Sequence, residues 1–95
     1  MKIMLVGDWS RTTFEEIGTK FGKGEDANPP EGIELIARWH DPSSKLVWVV
    51  VDAPDSAAVQ AWTIKWTDYM DWQTFSVIED EEVGAILQNE LNLSD

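Results

Sequence analysis

The sequence predicts an α+β domain, a four-stranded antiparallel sheet with two helices crossing one face and a third helix after the last strand. Three observations lead there. Apolar stretches of strand character alternate with stretches whose apolar residues recur at spacings of three and four. The two central apolar stretches are joined by a connection short enough to make them a hairpin. Finally, 95 residues with 43% apolar content give one core and one domain, spanning residues 1–95.

Lys2 to Trp9 is apolar and β-compatible, a first strand. Ser10 then offers an N-cap, and Thr12-x-x-Glu15 and Thr13-x-x-Glu16 both fit a capping box, in which a hydroxyl and a carboxylate satisfy the free amides of a helix start. Phe14, Ile17 and Phe21 give that helix an apolar face, and Gly22 and Gly24 end it. Lys23 to Gly32, with Asn28-Pro29-Pro30, is a loop, because proline removes donors and fixes φ. Ile33 to His40 and Lys45 to Asp52 are the second and third strands around the turn Asp41-Pro42-Ser43-Ser44. Pro54 suits a first helical turn, and Asp55 favours that end electrostatically. Val59, Trp62, Trp66 and Tyr69 follow on one face. Trp72 to Glu79 is the fourth strand, and Asp80-Glu81-Glu82 opens a last helix with Val83, Ile86, Leu87 and Leu91 on one side. The order β-α-β-β-α-β-α contains the split βαβ of ferredoxin-like folds, extended by a C-terminal helix.

Charge and missing residues exclude several functions. Eighteen Asp and Glu against seven scattered Lys and Arg give a net charge of −11. Such a chain lacks the basic stripe that nucleic acids or anionic membranes require. No apolar run approaches the ~20 residues of a spanning helix. The apolar run from Met1 to Gly7 meets Asp8 too soon for a signal peptide, so a cytoplasmic location is expected. One histidine and no cysteine leave no set of donors for a structural zinc. Gly18-Thr19-Lys20-Phe21-Gly22-Lys23 is one residue short of a phosphate loop. Neither metal nor cofactor is expected.

The informative feature is the sheet face away from the two crossover helices. A wet face should alternate with polar residues. Instead Val47, Val49 and Val51 oppose Trp48 and Val50, and Ile3 and Leu5 oppose Met4 and Val6. Both faces are apolar, so either the last helix or a second copy of the chain must cover the open one.

Pro29-Pro30-Glu31-Gly32-Ile33 leading to Arg38-Trp39-His40, then Ala61-Trp62, Trp66-Thr67-Asp68, Asp71-Trp72 and Val77-Ile78-Glu79-Asp80-Glu81-Glu82, resemble a family of small bacterial proteins called domain of unknown function 3303. The resemblance covers almost the whole chain and rests on packing and turn signatures. That family is similar to the dimeric α/β-barrel group, in which two ferredoxin-like sheets pack face to face. The resemblance therefore implies a dimeric α/β barrel and a homodimer through the open sheet face, and no mechanism.

Candidate site residues follow from chemistry and position. His40 is the only histidine; it shares strand parity with Arg38 and Ile36, and can act as a general base or ligand donor, against the blander reading of an exposed strand end. Asp8 and Trp9 close the first strand beside a helix start, where pockets open. Trp39 and Trp48 on the hairpin can line an aromatic pocket, although packing alone accounts for residues of that size. Thr74 and Ser76 share a parity on the fourth strand and offer hydroxyls. The expected ligand-binding set is Asp8, Trp9, Arg38, His40, Trp48 and Ser76. The expected function is binding of a small apolar or aromatic molecule in a cleft of a homodimer. Two alternatives stand beside it: an acidic protein–protein interaction or inhibitor module, and a cofactor-free oxygenase or isomerase using His40.

Overall fold

The computed structural model describes residues 1–24 and 26–93. Seven main elements follow in chain order: β1 (Lys2–Asp8), α1 (Phe14–Gly22), β2 (Glu34–His40), β3 (Leu46–Asp52), α2 (Ser56–Thr63), β4 (Asp71–Val77) and α3 (Asp80–Glu90). A single 3-10 turn, Ile64–Trp66, continues α2. The strands form one sheet in the order β2-β3-β1-β4, antiparallel throughout. This is an α+β fold with the ferredoxin-like arrangement.

Of the three caps the sequence offers the first helix, Thr13 is the one used, while Ser10 and Thr12 lie before it, and Asp55, expected only as a favourable charge, is itself the cap of α2. The Thr13 side chain accepts from the Glu16 amide, and the Asp55 side chain accepts from the Ala58 amide. Pro54 therefore lies just before the cap rather than in the first helical turn. Gly24 takes φ +75°, a left-handed conformation that glycine adopts without strain, two residues beyond the last residue of α1. β1 ends at Asp8, but the Trp9 amide still donates to the Lys45 carbonyl at 2.9 Å and prolongs the ladder by one bond.

Alternation along β1 and β3 sorts the sheet into two faces. Ile3 and Leu5 on β1 join Val47, Val49 and Val51 on β3, Ile17 of α1, and Val59 and Trp62 of α2 in one buried core. Both crossover helices therefore cover the same face. Met4, Val6, Trp48 and Val50 are on the other.

One expectation needs correction here, and one open alternative narrows. The β2–β3 register shifts between Leu35 and Ala37, so a bulge breaks the period of two. Arg38 and His40, opposite Val49 and Val47, face the helices. Ile36, the extra residue, does not share their parity. The alternative concerns α3, one of the two covers left open for the other sheet face. Every residue of it is exposed, so the last helix does not lie on the open sheet face of its own chain. Among the described residues no helix is long and apolar enough to cross a membrane.

Candidate functional site

One cross-strand row organises the helix-side face. His40 on β2 lies opposite Val47 on β3, Val47 opposite Gly7 on β1, and Gly7 opposite Trp72 on β4. The row spans roughly 14 Å at the usual strand spacing. Gly7 is required at its centre. A Cβ there would stand 2.5 Å from Met70 Cε, 2.8 Å from Trp72 Cζ3 and 2.9 Å from Val47 Cγ1. The Trp72 indole thus folds back across the glycine, over the sheet.

Above this row, between sheet and helices, the fold forms a half-open apolar cavity of about 260 Å³. Val47, Val49 and Trp72 contribute to its floor, Ile17, Gly18 and Phe21 of α1 form one wall, and Trp62 and Trp66 form another. Trp9 and Phe14 close one end, their ring centroids 6.3 Å apart. Arg38 and His40 are among the lining residues on the β2 side.

The 26–32 loop is fixed over this space by three donors. The Asp26 carbonyl accepts from Trp62 Nε1 at 2.8 Å and from Trp66 Nε1 at 3.0 Å. The Ala27 carbonyl accepts from the Arg38 guanidinium at 2.6 Å. Asp26 takes φ +58°, a left-handed conformation tolerated best by Asn, Asp and Gly. Its carboxylate also meets Lys65 at 3.4 Å and Lys20 at 3.6 Å.

Cations collect on the aromatic rings of this cavity. The Arg38 guanidinium carbon lies 4.9 Å from the Phe21 centroid, Lys20 Nζ 4.9 Å from that of Trp66, and Lys45 Nζ 5.5 Å from that of Trp9. The His40 ring meets Phe21 edge-on at 5.4 Å. Burial lowers the Arg38 pKa, the sign expected when a charge loses solvent. Trp72 Nε1 is buried without a hydrogen-bond partner among the described residues.

Of the residues expected from sequence, Trp9, Arg38 and His40 come together at the cavity. The other three do not line it. Trp48 faces the opposite side of the sheet, paired with Trp39. Asp8 points the same way as Trp48 at its strand end, where Ser10 donates to its carboxylate from the backbone amide at 2.9 Å. The Ser10 hydroxyl and amide hold the Asp8 pKa below its ordinary value. Ser76 and Thr74 share the helix side of the sheet, but on the exposed edge strand β4. Sequence reasoning missed Gly18, Asp26 and Trp72. A glycine in mid-helix was a legible signal for the first; nothing local marks the other two.

The arrangement can enclose a flat apolar molecule among four indoles and present cations at its edge. His40 and Asp41 both lie among the lining residues, but no hydrogen bond joins the imidazole to an acid among the described residues, so no hydrogen-bonded acid–base pair is assembled there. No curated protein and no solved structure matches the chain. The profile of the domain of unknown function family DUF3303 matches residues 1–91, and the chain belongs to that family.

Proposed function

We propose that the protein is a cytoplasmic homodimer that binds a small apolar or aromatic molecule in the cavity between sheet and helices. The observation that carries this reading is Gly18. It sits in the interior of α1, on the cavity wall, where an added Cβ would meet nothing within 4 Å. Helix propensity alone would favour alanine there by about 1 kcal/mol. No turn, close approach or positive φ requires glycine, so its effect is to widen the cavity. The lining is chiefly apolar and aromatic with a few polar groups, the composition typical of small-molecule sites, and the volume of about 260 Å³, just below the roughly 300 Å³ at which such sites usually begin, suits a small ligand.

Titration of the neutral probe 2-naphthamide, followed by calorimetry and by the indole Nε1–H signals of the tryptophans, tests the reading. Binding should be saturable and should shift the cavity tryptophans. Gly18→Leu should fold and abolish binding, whereas Gly18→Ala should raise stability by about 1 kcal/mol and keep it. Unimpaired binding to Gly18→Leu would place the probe elsewhere and overturn the reading.

The homodimer rests on the open sheet face. Trp39 is 57% exposed and Phe75 49%, so these two leave roughly 150–250 Å² of aromatic surface uncovered. Met4, Val6, Trp48 and Val50 lie beside them, and Ile86, Leu87 and Leu91 of the α3 segment are exposed as well. That is the composition from which an interface of ~800 Å² per partner is made. Sedimentation should give twice 10.8 kDa at micromolar concentration, and Trp39→Lys should halve the mass. A wild-type species of single-chain mass at that concentration would refute the dimer.

A further inference from the structure

The cavity carries a charge signature that its apolar lining does not explain. The chain has a net charge of −11 with only seven Lys and Arg. Three of those cations, Arg38, Lys20 and Lys45, nevertheless lie within 5.5 Å of the centroid of a ring that lines the cavity. Lys20 is partnered by Asp26. Arg38 and Lys45 pair with no carboxylate among the described residues. Arg38 donates one bond to the Ala27 carbonyl, and a guanidinium has five N–H donors.

A partly buried cation without a counter-charge is costly, and an anion at the same place offsets that cost. The lining includes one carboxylate residue, Asp41, whose oxygen accepts from the Ser43 hydroxyl. The burial that lowers the Arg38 pKa reflects the same loss of solvent. Trp72 adds an N–H donor that nothing in the described chain satisfies.

We propose that the ligand is an aromatic carboxylate, its ring held among the cavity indoles and its anionic group paired with Arg38. The inference rests on the cavity reading given above and adds the ligand class. A planar carboxylate matches the guanidinium fork with two parallel hydrogen bonds, which a lysine cannot reproduce.

The test compares 2-naphthoate with its neutral analogue 2-naphthamide by calorimetry on the full chain at pH 7. In the wild type the naphthoate should bind at least tenfold tighter. Arg38→Met should bring the naphthoate/naphthamide affinity ratio to about one, whatever it does to the absolute affinity of either, and Arg38→Lys should recover the ratio only in part. Should Arg38→Met fail to fold, the wild-type ratio and the chemical-shift change of the Arg38 Nε–H on adding naphthoate decide instead. Equal affinities in the wild type, or an undiminished preference in Arg38→Met, overturn the anion assignment and leave the cavity reading standing. Absence of binding by either probe overturns both.

Discussion

Gly7→Ala tests how the cavity is built. The new Cβ would lie 2.5–2.9 Å from three carbon atoms of Met70, Trp72 and Val47, about 0.6–1.5 Å inside the optimum carbon–carbon distance. Met70 can swing its terminal methyl aside. Trp72 cannot bend its indole, and Val47 is held in the β3 ladder, so the relief must come from rotating Trp72 off the sheet into the cavity. Overpacking of this kind costs about 1–3 kcal/mol. Alanine restricts the unfolded chain and returns about 0.4–1 kcal/mol of that. The net loss then lies between about 0 and 2.6 kcal/mol, and its centre of about 1.3 kcal/mol corresponds to about 5–10 °C in Tm for a domain of this size. Thermal unfolding by circular dichroism measures it, and the near-ultraviolet signal reports the displaced indole. Naphthamide binding should weaken in parallel, because the indole now occupies its place. Trp72→Leu in the Gly7→Ala background should restore part of the stability, with a coupling of about 0.5–3 kcal/mol in the double-mutant cycle. A Gly7→Ala protein more stable than the wild type, or additive effects with Trp72→Leu, would refute the packing account.

Two further outcomes follow from the hydrogen bonds. Trp62→Phe and Trp66→Phe each remove one of two donors to the Asp26 carbonyl. Each alone should cost about 1 kcal/mol, but the pair should cost more than the sum, because the second substitution leaves that carbonyl unpaired; chemical denaturation of the four variants measures this, and strict additivity would show that the two bonds are not shared at one acceptor. Asp8 should titrate below its ordinary value of 3.8. A depressed carboxyl pKa stabilises the fold above the unfolded value, and the contribution is lost as pH falls through the folded one. Carbon-detected NMR titration reads the pKa directly; Ser10→Ala removes the hydroxyl but keeps the amide and should raise it in part, and an Asp8 pKa unmoved by that substitution would remove the Ser10 hydroxyl as a cause.

The parts of this fold set by local chemistry were legible. The Thr13 cap, the hairpin turn and the apolar face of α2 each depend on residues within a few positions of one another, whereas Asp55 was read for its charge and not as the cap it is. The bulge in β2 was not legible, since Leu35-Ile36-Ala37 carries no glycine or other mark of an extra residue, and one such residue was enough to remove Ile36 from the face of Arg38 and His40. The side on which Trp48 lies was not legible for a related reason. Its strand is apolar on both sides, so alternation could not say which side holds the cavity. The cavity itself needs contacts between residues far apart in the chain: an indole from β4 over a glycine in β1, and two indoles of the α2 segment on a loop carbonyl 36 and 40 residues earlier. Arg11, four of whose bonds join the β1–α1 connection to acceptors between Thr67 and Asp71, was overlooked because an isolated surface arginine has no sequence signature.

The six tryptophans divide by location, and the division bears on how the chain associates. Trp9, Trp62, Trp66 and Trp72 line the cavity, whereas Trp39 and Trp48 pair on the open face. That face and the apolar side chains of α3 are uncovered together in one chain, which is an unfavourable pairing of exposures. Two arrangements relieve it. In one, α3 folds back over its own sheet; in the other, a second copy supplies the cover. Size separates them only when it is read together with mass. With α3 unpacked the chain has a Cα radius of gyration of 16.4 Å, against roughly 12 Å for a compact chain of this length and roughly 16 Å for two compact copies. An observed radius near 16 Å therefore does not distinguish an extended monomer from a compact dimer. Small-angle scattering combined with sedimentation should give doubled mass at a radius of 16 Å or somewhat more. Single-chain mass with a radius near 12 Å would mean that α3 has closed on its own sheet, and the open face would need no partner.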